Sequence, residues 1–373
     1  MFLLDAEVLR NNCRRFKSAF EHSGANCEFL YAVKANFEAA VLGIIAREKY
    51  GALIGSEPEG TLAKRSGFSK PIFLYTSCLR ESEIEYAINN SMVMVADSAR
   101  DLKRIERIAR RSKKVPEVGL RYDSCRDESS KFGVMDSEFV ECGRAFGRSR
   151  VLRFTTLGVH LGTHLLEVAK YRQAICRIAI VLAKLTRLYG IHLGRVSLGG
   201  GFTSIGDVAE QLVPIEEVAS SIVSSVREEF DAKGLPIPTL TLEPGRFIVN
   251  DAVKCLGTIH SVKGSKGKRK WAYCDVASSF LPKLDSARYM LSTVAKHDTA
   301  PLEFDVGGPL GVEHDVLARG IRLRSVREGA VIVVSNCGAY TLSMASNFNR
   351  TKPAMLLLEG RRVRLARPEG EMV

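Results

Sequence analysis

Short apolar and β-branched runs alternate with longer amphipathic stretches over the first two thirds of the chain. Each run has the length of a short buried strand, and the stretches between runs are long enough for crossover helices, several of them with a 3.6-residue apolar period. The predicted strands are 29–33, 52–54, 72–74, 92–96, 118–121, 157–160, 195–198 and 240–243. Strands that each lead into a helix predict a parallel β/α fold.

The clearest helical pattern precedes Gly190. Apolar residues at helical spacing predict one buried face, made of Val168, Tyr171, Ile175, Ile178, Leu182, Leu185 and Leu188. Glycine commonly follows the last turn of a helix, so this helix is predicted to end before Gly190. Met344 and Phe348 have the same spacing further along the chain and are predicted core contacts.

Strand–helix units repeated over about 240 residues match the size of a (β/α)8 barrel. Residues able to do chemistry lie at or just after predicted strand ends: Lys34, Arg121, His160, the glycines at 199–201 and Glu243. Barrels of this class have their active sites at the carboxyl ends of the strands. The sequence therefore predicts a barrel over 5–247 with an active site at that end.

After Arg246 the chain changes to β-branched segments, such as 330–334 and 355–358, that are divided by Gly and Pro turns. This pattern predicts a mostly β domain over 248–373, to which residues 1–4 add a strand. The predicted fold class is therefore α/β, a barrel followed by a β-rich domain that closes the active site.

Composition and cysteine spacing narrow the class of protein. With 373 residues, 46% of them hydrophobic, the chain can form a large domain and a smaller one. The nine cysteines are scattered and form no Cys-x-x-Cys pair, which argues against a disulfide framework and a structural zinc site. Asp5 and Glu7 interrupt the apolar start and no run approaches a membrane span, so a cytoplasmic protein without a membrane partner is expected.

A net charge of +12 raises the question of whether the protein binds nucleic acid. The densest basic run is Lys263, Lys266, Lys268, Arg269 and Lys270. Glycine and serine separate these cations and no aromatic residue is interleaved with them, which is typical of a solvated hairpin loop. We therefore expect no nucleic-acid partner, and the remaining positive charge favours anionic small ligands.

Four motifs indicate one kind of site: Tyr-Ala-Val-Lys-Ala-Asn at 31–36, the glycines at 199–201, Glu-Pro-Gly-Arg at 243–246 and Cys-Gly-Ala-Tyr at 337–340. A strand-end lysine can react with an aldehyde, and a glycine run exposes backbone N–H groups to a phosphate. A carboxylate can keep a pyridine nitrogen protonated. In this order the motifs predict a site for pyridoxal 5'-phosphate (PLP), although a glycine run alone more often marks a tight turn.

With these motifs the chain resembles, over nearly its whole length, the fold type III PLP-dependent decarboxylases, which include ornithine and diaminopimelate decarboxylases. The resemblance implies an alanine-racemase-like barrel and a homodimer with shared active sites. It also implies a set of cofactor-binding residues: Lys34, Arg121, His160, Thr163, Gly199, Gly200, Gly201, Glu243, Gly245, Arg246 and Tyr340. Within that set Lys34 attaches the cofactor, His160 stacks on its ring, and Arg246 and Tyr340 bind its phosphate.

Glu243 decides the predicted reaction. A carboxylate at the ring nitrogen keeps the full electron sink that loss of CO2 requires, whereas the related racemases typically have an arginine there. Glutamate at this position therefore favours decarboxylation. The simpler alternative is that Glu243 only forms an ion pair with Arg246.

The segment 308–315 departs from the family pattern. Relatives commonly have a Gly-Pro-x-Cys loop here, whose cysteine delivers a proton in the partner subunit's site and whose next residue is often acidic. This chain has Gly311 and Val312 instead. Candidates for proton delivery are His314, Lys34 and water. The predicted substrate-binding residues are Asp275, Glu313 and Asp315.

These assignments predict PLP-dependent decarboxylation of an amino acid or an amino-acid conjugate, in a siderophore, antibiotic or polyamine-like pathway. The predicted catalytic residues are Lys34, Glu243, His160 and His314, and no metal is expected. A racemase, or another PLP enzyme without CO2 release, is the alternative. An inactive regulator is less favoured because the cofactor-binding residues are retained.

Overall fold

The structure, a computed structural model, describes residues 1–69, 71–123, 131–165, 167–204, 213–264, 269–282, 288–294 and 300–370. Within them the chain forms a closed barrel of eight parallel strands and a second sheet of nine strands. The second sheet begins with β1 (Phe2–Asp5), and α1 (Ala6–His22) leads into the barrel. Asp5 caps that helix by accepting hydrogen bonds from the backbone N–H groups of Glu7 and Val8.

The barrel strands follow in chain order. They are β2 (Cys27–Ala32), β3 (Gly51–Ile54), β4 (Ile72–Tyr75), β5 (Val93–Ala96), β6 (Glu117–Arg121), β7 (Arg153–Gly158), β8 (Arg195–Gly199) and β9 (Thr239–Leu242). Parallel pairing of β9 with β2 closes the circle. All eight predicted strands are present, and the predicted fold class is confirmed. The predicted and observed strand bounds differ most in β7. This strand ends at Gly158, so His160 lies just beyond its carboxyl end.

Helices alternate with the barrel strands. After α1 they are α2 (Ala39–Arg47), α3 (Glu57–Arg65), α4 (Glu81–Asn89), α5 (Ala99–Ser112), α6 (Asp136–Arg148), α7 (Val168–Tyr189), α8 (Ile215–Asp231) and α9 (Arg246–Val249), with 3-10 turns at Val33–Ala35 and Ser278–Phe280. As predicted, α7 ends before Gly190, which has a left-handed φ of 64°. Leu188 is 49% exposed, so its assignment to the buried face was wrong; in the last turn it is Tyr189 that packs against the core.

The inside of the barrel has two unlike halves. Strands β2 to β5 contribute an apolar cluster, made of Leu30, Ala32, Leu53, Phe73, Val93 and Val95. Strands β7 to β9 contribute the buried hydroxyls of Thr156, Ser197 and Thr241. Residues that alternate with these hydroxyls, such as Leu198 and Leu242, belong to the core shared with the helices. The barrel interior therefore offers polar groups on one side and an apolar wall on the other.

The nine-stranded sheet completes the chain. Besides β1 it contains β10 (Val253–Lys263), β11 (Trp271–Cys274), β12 (Met290–Thr293), β13 (Leu302–Gly307), β14 (Val316–Leu323), β15 (Val331–Ser335), β16 (Met355–Glu359) and β17 (Arg362–Arg367). Strand β1 pairs with β10 and β16, as predicted for the first residues of the chain. The basic run joins the antiparallel strands β10 and β11, and its middle, 265–268, lies outside the described residues. The domain boundary at 247 stays a prediction.

Buried polar contacts join the sheet to the barrel. Arg367 on β17 forms an ion pair with Glu38, with 3.1 Å between Nε and Oε2, and both side chains are 5% exposed. The Asn36 side chain donates a hydrogen bond to the Gly338 carbonyl oxygen at 2.9 Å. Because both contacts are buried, they hold the segment that follows Lys34 firmly against the sheet.

The surface carries two large apolar side chains from one segment. Met344 and Phe348 are 47% and 55% exposed, so their prediction as core contacts was wrong. The segment forms turns and bends instead of a helix, and residues four apart therefore do not share a face. The eight cysteines that the structure describes are free thiols. None of the helices in the described ranges is long and apolar enough to cross a membrane.

Candidate active site

A cavity of about 290 Å³ opens at the carboxyl ends of the barrel strands. It is lined by ten of the predicted cofactor residues: Lys34, Arg121, His160, Thr163, Gly200, Gly201, Glu243, Gly245, Arg246 and Tyr340. Gly199, the remaining member, is the last residue of β8 and directly precedes Gly200. The fold thus gathers all four motifs into one site, which we call the barrel mouth.

Lys34 stands on a fixed 3-10 turn after β2. The Tyr31 hydroxyl donates to the Asn36 carbonyl oxygen at 2.9 Å, and the Tyr340 N–H donates to the Ala35 carbonyl oxygen at 2.8 Å. The backbone beside the lysine is therefore held from the barrel and from the sheet. A fixed backbone keeps an amine in place for attack on a bound aldehyde.

The glycine run after β8 has no room for side chains. Gly199 and Gly201 have φ of 71° and 89°, in the left-handed region that favours glycine. A Cβ on Gly199 would lie 2.8 Å from His160 Nδ1, and one on Gly200 would lie 2.7 Å from the Glu243 carbonyl oxygen. The close fit at this end of the barrel requires glycine, and it brings main-chain atoms to the cavity wall.

Glu243 follows β9 and lines the cavity. Its Oε1 accepts a hydrogen bond from the Ser197 hydroxyl at 2.6 Å. Burial raises the pKa of Glu243, while the hydrogen bond from Ser197 and the positive charges of Arg121 and Lys34 act in the opposite direction. The charge of this carboxyl group therefore depends on its neighbours, as is typical of functional acids.

His160 is held neutral in the cavity wall. The Gly200 N–H donates to Nδ1 at 3.4 Å, so Nδ1 carries no proton and the ring proton lies on Nε2. Burial, together with the positive charges of Arg121 and Lys34, lowers the pKa of His160 to about 4. At neutral pH the imidazole therefore presents an uncharged flat ring to the cavity.

The Arg121 guanidinium packs against two neighbouring aromatic rings. Its central carbon is 4.6 Å from the Tyr75 ring centroid and 4.4 Å from that of Phe132. The Tyr75 hydroxyl and the Gly133 N–H both donate to Asp97 Oδ1, at 3.2 Å and 2.7 Å. Asp97 thereby ties together the two segments that carry the rings, and it fixes the guanidinium at the barrel mouth.

The predicted site residues do not include Tyr75, Asp97, His164 or Ser197, which the structure places at the site. Tyr75 and Asp97 each come one residue after a predicted strand, and Ser197 is an inward-facing position of another. The signal that could have found them is a polar residue near the carboxyl end of a barrel strand.

Four predicted residues lie outside the barrel cavity: Asp275, Glu313, His314 and Asp315. Asp315 is buried, and its carboxylate accepts hydrogen bonds from the N–H groups of Ser278 at 2.7 Å and Leu310 at 2.6 Å. These bonds explain its position, because the carboxylate stabilises the backbone of its own loop. Glu313 and His314 are exposed on that loop.

Asp275 lines a second cavity, of about 570 Å³, on the nine-stranded sheet. Its carboxylate accepts a hydrogen bond from the Thr258 N–H at 2.7 Å, and His260 Nε2 lies 3.4 Å from its other oxygen. Within one chain, therefore, the predicted substrate residues contact their own backbone or face away from the barrel mouth.

The groups at the barrel mouth fit the chemistry of PLP. Its aldehyde requires an amine, which Lys34 provides, and its ring nitrogen requires an acid, which Glu243 provides. Its phosphate requires donors and positive charge, provided by Tyr340 and Arg246. The Arg246 guanidinium lies 5.2 Å from the Tyr340 ring centroid. Burial raises the pKa of Tyr340, so its hydroxyl keeps the proton that it would donate.

Known proteins are similar in sequence to this chain over nearly its whole length. Residues 6–250 match the family described as pyridoxal-dependent decarboxylase, pyridoxal binding domain. The chain is 29% identical over 382 residues to the diaminopimelate decarboxylase of Methanothermobacter thermautotrophicus, which covers 98% of this chain and 88% of that protein. It is 28% identical to the diaminopimelate decarboxylase of Archaeoglobus fulgidus, with coverage of 97% and 88%.

Solved structures share the fold. A crystal structure of diaminopimelate decarboxylase from M. jannaschii matches with a TM-score of 0.92 at 24% identity, covering 99% of this chain and 89% of that one. The enzyme from Helicobacter pylori, complexed with L-lysine, matches with a TM-score of 0.88 at 25% identity, covering 99% and 93%. The resemblance inferred from the motifs is confirmed: the chain belongs to the pyridoxal-dependent decarboxylases, and it is a PLP-dependent carboxy-lyase.

Proposed function

We propose that the barrel mouth holds PLP and that its residues promote loss of the α-carboxylate of an amino acid. When bound, PLP supplies a ring that accepts the electron pair left on Cα as CO2 departs. The observation that carries this proposal is the carboxylate of Glu243, which is bound to Ser197 and lines the same cavity as the amine of Lys34.

Each residue has a role that follows from its chemistry. Lys34 attaches the cofactor through Nζ and can hold or return a proton at the same atom. Arg246, Tyr340, Thr163 and the backbone N–H of Gly201 bind the phosphate, since the N–H groups of Gly199 and Gly200 donate to Ser197 and His160. The set combines positive charge, hydroxyl donors and backbone N–H groups, which are the three kinds of group that bind phosphate in proteins.

Two further residues control the ring of the cofactor. Glu243 keeps the ring nitrogen protonated, and the nearby charges of Arg121 and Lys34 favour its ionised form. His160 covers one face of the ring with an uncharged imidazole and excludes water from it. A protonated ring nitrogen in a dry cavity stabilises the negative charge that decarboxylation leaves on Cα.

Diaminopimelate is the substrate that the relatives favour. Curated relatives that align over nearly the whole chain are diaminopimelate decarboxylases, and one structural neighbour is complexed with L-lysine. We therefore propose diaminopimelate as the first substrate to test. The relatives give no support to a siderophore or antibiotic pathway.

An amino-acid conjugate is the second candidate, and the positions of the acidic residues favour it. Glu243 is the one acidic residue among the described residues that line the cavity, and it is bound to Ser197. Gly311 and Val312 stand where relatives have the cysteine and commonly an acidic residue. A free ammonium group at the far end of a substrate therefore meets no second acid among the described residues that line the cavity.

A homodimer would supply the missing groups. Met344 and Phe348 are exposed apolar side chains at two positions on the surface of the segment 344–349. Asn349 lies against the loop at 308–315, since its Nδ2 would be 4.0 Å from a Cβ on Gly311. A second copy that covers this surface would bring its loop to a neighbouring barrel mouth, as the family resemblance implies.

The test of the reaction is a substrate panel. Purified protein with added PLP is given carboxyl-labelled diaminopimelate, lysine, ornithine, glutamate, and acyl- or citryl-conjugated diamino acids, with protein-free PLP as the control. Labelled CO2 from diaminopimelate supports the first candidate, and labelled CO2 from conjugates alone supports the second. Exchange or inversion at Cα without CO2 release from any substrate would contradict decarboxylation.

The test of the shared site is the assembly state. Light scattering of wild-type protein should show a dimer, and the double change Met344→Ser with Phe348→Ser should weaken it because exposed apolar area drives association. The monomeric form should bind PLP and release little CO2. A monomer with full activity would contradict the shared site.

A further inference from the structure

Ser197 is a buried residue of β8 whose hydroxyl makes two hydrogen bonds. It donates to Glu243 Oε1 at 2.6 Å and accepts from the Gly199 N–H at 3.2 Å. The bond from the Gly199 N–H uses only a lone pair of the hydroxyl oxygen, so the single hydroxyl proton of Ser197 is available to Glu243. A donor fixed in this direction favours a carboxylate over a carboxylic acid.

The main chain strengthens this link. The Glu243 N–H donates to the Gly199 carbonyl oxygen at 3.0 Å. The pairing of β8 with β9 shifts register between Ser197 and Gly199, at the point where the strand gives way to the glycine run. The carboxylate and the glycine run are therefore one fixed unit, and Ser197 is a side chain that connects them.

The charged and titratable groups around Glu243 come from three other elements. Arg121 ends β6, Lys34 follows β2, and His160 follows β7. Burial raises the pKa of Glu243, and the Ser197 hydrogen bond opposes that rise together with the charges of Arg121 and Lys34. His160 has a pKa of about 4 and is neutral at neutral pH. Ser197 thus adds a direct hydrogen bond to the electrostatic effect of two cations.

We propose that Ser197 is a positioning residue that aligns Glu243 with the glycine run and keeps its carboxylate ionised to face a protonated ring nitrogen. The inference rests on the role proposed above for Glu243. Loss of the Ser197 donor lets Glu243 take up a proton at a higher pH. It also removes the hydrogen bond that fixes the position of the Glu243 carboxylate relative to the glycine run.

Thr241 provides a matched control. It pairs with Ser197 across β8 and β9 and is fully buried. Its Oγ1 has no hydrogen-bond partner in the part of the chain that the structure describes. Thr241→Val therefore removes a hydroxyl from the same layer of the barrel without breaking a hydrogen bond.

The experiment compares holoenzymes that carry Ser197→Ala, Ser197→Thr or Thr241→Val with wild type. The visible absorbance of bound PLP and kcat/KM are followed across pH, and PLP is titrated into each apoprotein. We expect Ser197→Ala to move the acid-side inflection to higher pH by about one unit and to weaken PLP binding by about tenfold. Ser197→Thr and Thr241→Val should follow wild type.

Glu243→Gln separates this inference from the role on which it rests. A wild-type spectrum at every pH in Glu243→Gln would mean that Glu243 does not face the ring nitrogen, and both ideas would be wrong. If Glu243→Gln alters the spectrum while Ser197→Ala follows wild type, only the inference is overturned. An equal shift in Thr241→Val overturns it as well. Should Ser197→Ala not fold, Ser197→Cys, a weaker donor of similar size, must shift the profile in the same direction.

Discussion

The barrel mouth and the loop at 308–315 both contain ionisable side chains, but they hold them in opposite ways. At the mouth, Lys34 and Glu243 sit on fixed strand ends and line a cavity. In the loop, the carboxylate of Asp315 is bound to backbone N–H groups, and Glu313 is exposed. The ionisable groups of the barrel mouth face a cavity that can hold a ligand, whereas Asp315 in the loop stabilises the protein backbone.

Because of this difference, the barrel mouth and the loop are expected to have different functions in the enzyme. A single chain brings together the groups that PLP needs at the ends of its barrel strands. The groups predicted to recognise the far end of the substrate, and His314 among the candidates for proton delivery, do not line that cavity. Changes at the mouth should therefore abolish cofactor chemistry, while changes in the loop should alter stability or substrate use and leave PLP binding intact.

The largest effect is expected from Lys34→Ala. Without the amine the cofactor has no covalent attachment, and CO2 release should fall by about 1,000-fold or more. The absorbance of the attached cofactor should also be lost, while the assembly state stays that of wild type. Lys103→Ala, at an exposed lysine of α5, is the matched control and should keep full activity. Activity of Lys34→Ala within tenfold of wild type would refute the role of the barrel mouth.

A second effect at the mouth appears as a pH dependence of stability. The pKa of His160 falls from 6.5 to about 4 on folding, chiefly through burial. Between these values the unfolded chain binds a proton that the folded chain does not, so the free energy of unfolding decreases as the pH falls from 6.5 to 4. His160→Gln should remove that contribution, which is at most about 3 kcal/mol.

The measurement is urea unfolding of the apoprotein across that pH range, for wild type and His160→Gln. Buried acids such as Asp97 and Glu243 have raised pKa values and contribute with the opposite sign. They are present in both proteins, so the difference between the two curves isolates His160. Parallel curves would show that His160 does not stay neutral in the fold.

In the loop, Asp315→Ala should cost stability without affecting the cofactor. It removes the acceptor for the buried N–H group of Leu310 and the partly buried one of Ser278, and we expect a loss of about 2 kcal/mol. The PLP dissociation constant should stay within about twofold of wild type, because no bond at the barrel mouth is broken. Glu313→Gln, at an exposed acid of the same loop, is the control and should leave stability unchanged. A strong loss of PLP binding in Asp315→Ala would contradict the claim that the loop and the barrel mouth are independent.

The same contrast explains how far sequence could predict this molecule. Strand periodicity fixes which residues reach the carboxyl end of a barrel, so Lys34, His160 and Glu243 could be placed from their distance to a strand end. The Ser197 bond to Glu243 could not be predicted, because it depends on the register between two strands. The partners of Asp315 are backbone groups of Ser278 and Leu310, which side-chain patterns do not reveal.

Apolar spacing gave a wrong prediction in one segment that does not form a helix. Met344 and Phe348 have helical spacing, but their segment makes turns that leave both on the surface. Periodicity predicts a shared face only if the backbone keeps the period, and nothing local to this segment enforces it.

The smallest effect is expected from Gly311→Cys, which restores the residue that relatives have. Among the described residues, a Cβ at Gly311 would meet only Asn349 Nδ2, at 4.0 Å, so a side chain fits and the free energy of unfolding should change by less than about 0.5 kcal/mol. PLP binding should equal that of wild type. If the loop delivers the last proton in a partner's site, the added thiol should raise kcat several-fold without changing the cofactor spectrum.

Gly338→Ala is a control for which the opposite outcome is expected. A Cβ at Gly338 would lie 1.6 Å from the Val249 carbonyl oxygen, so this position cannot accept a side chain without a shift. Gly338 also accepts the hydrogen bond from Asn36 that holds the segment after Lys34. We expect this variant to lose both stability and PLP binding, although it is the smaller substitution. Denaturation and PLP titration of the two variants side by side measure the contrast directly. Equal tolerance of both changes would mean that the barrel mouth is no more constrained than the loop.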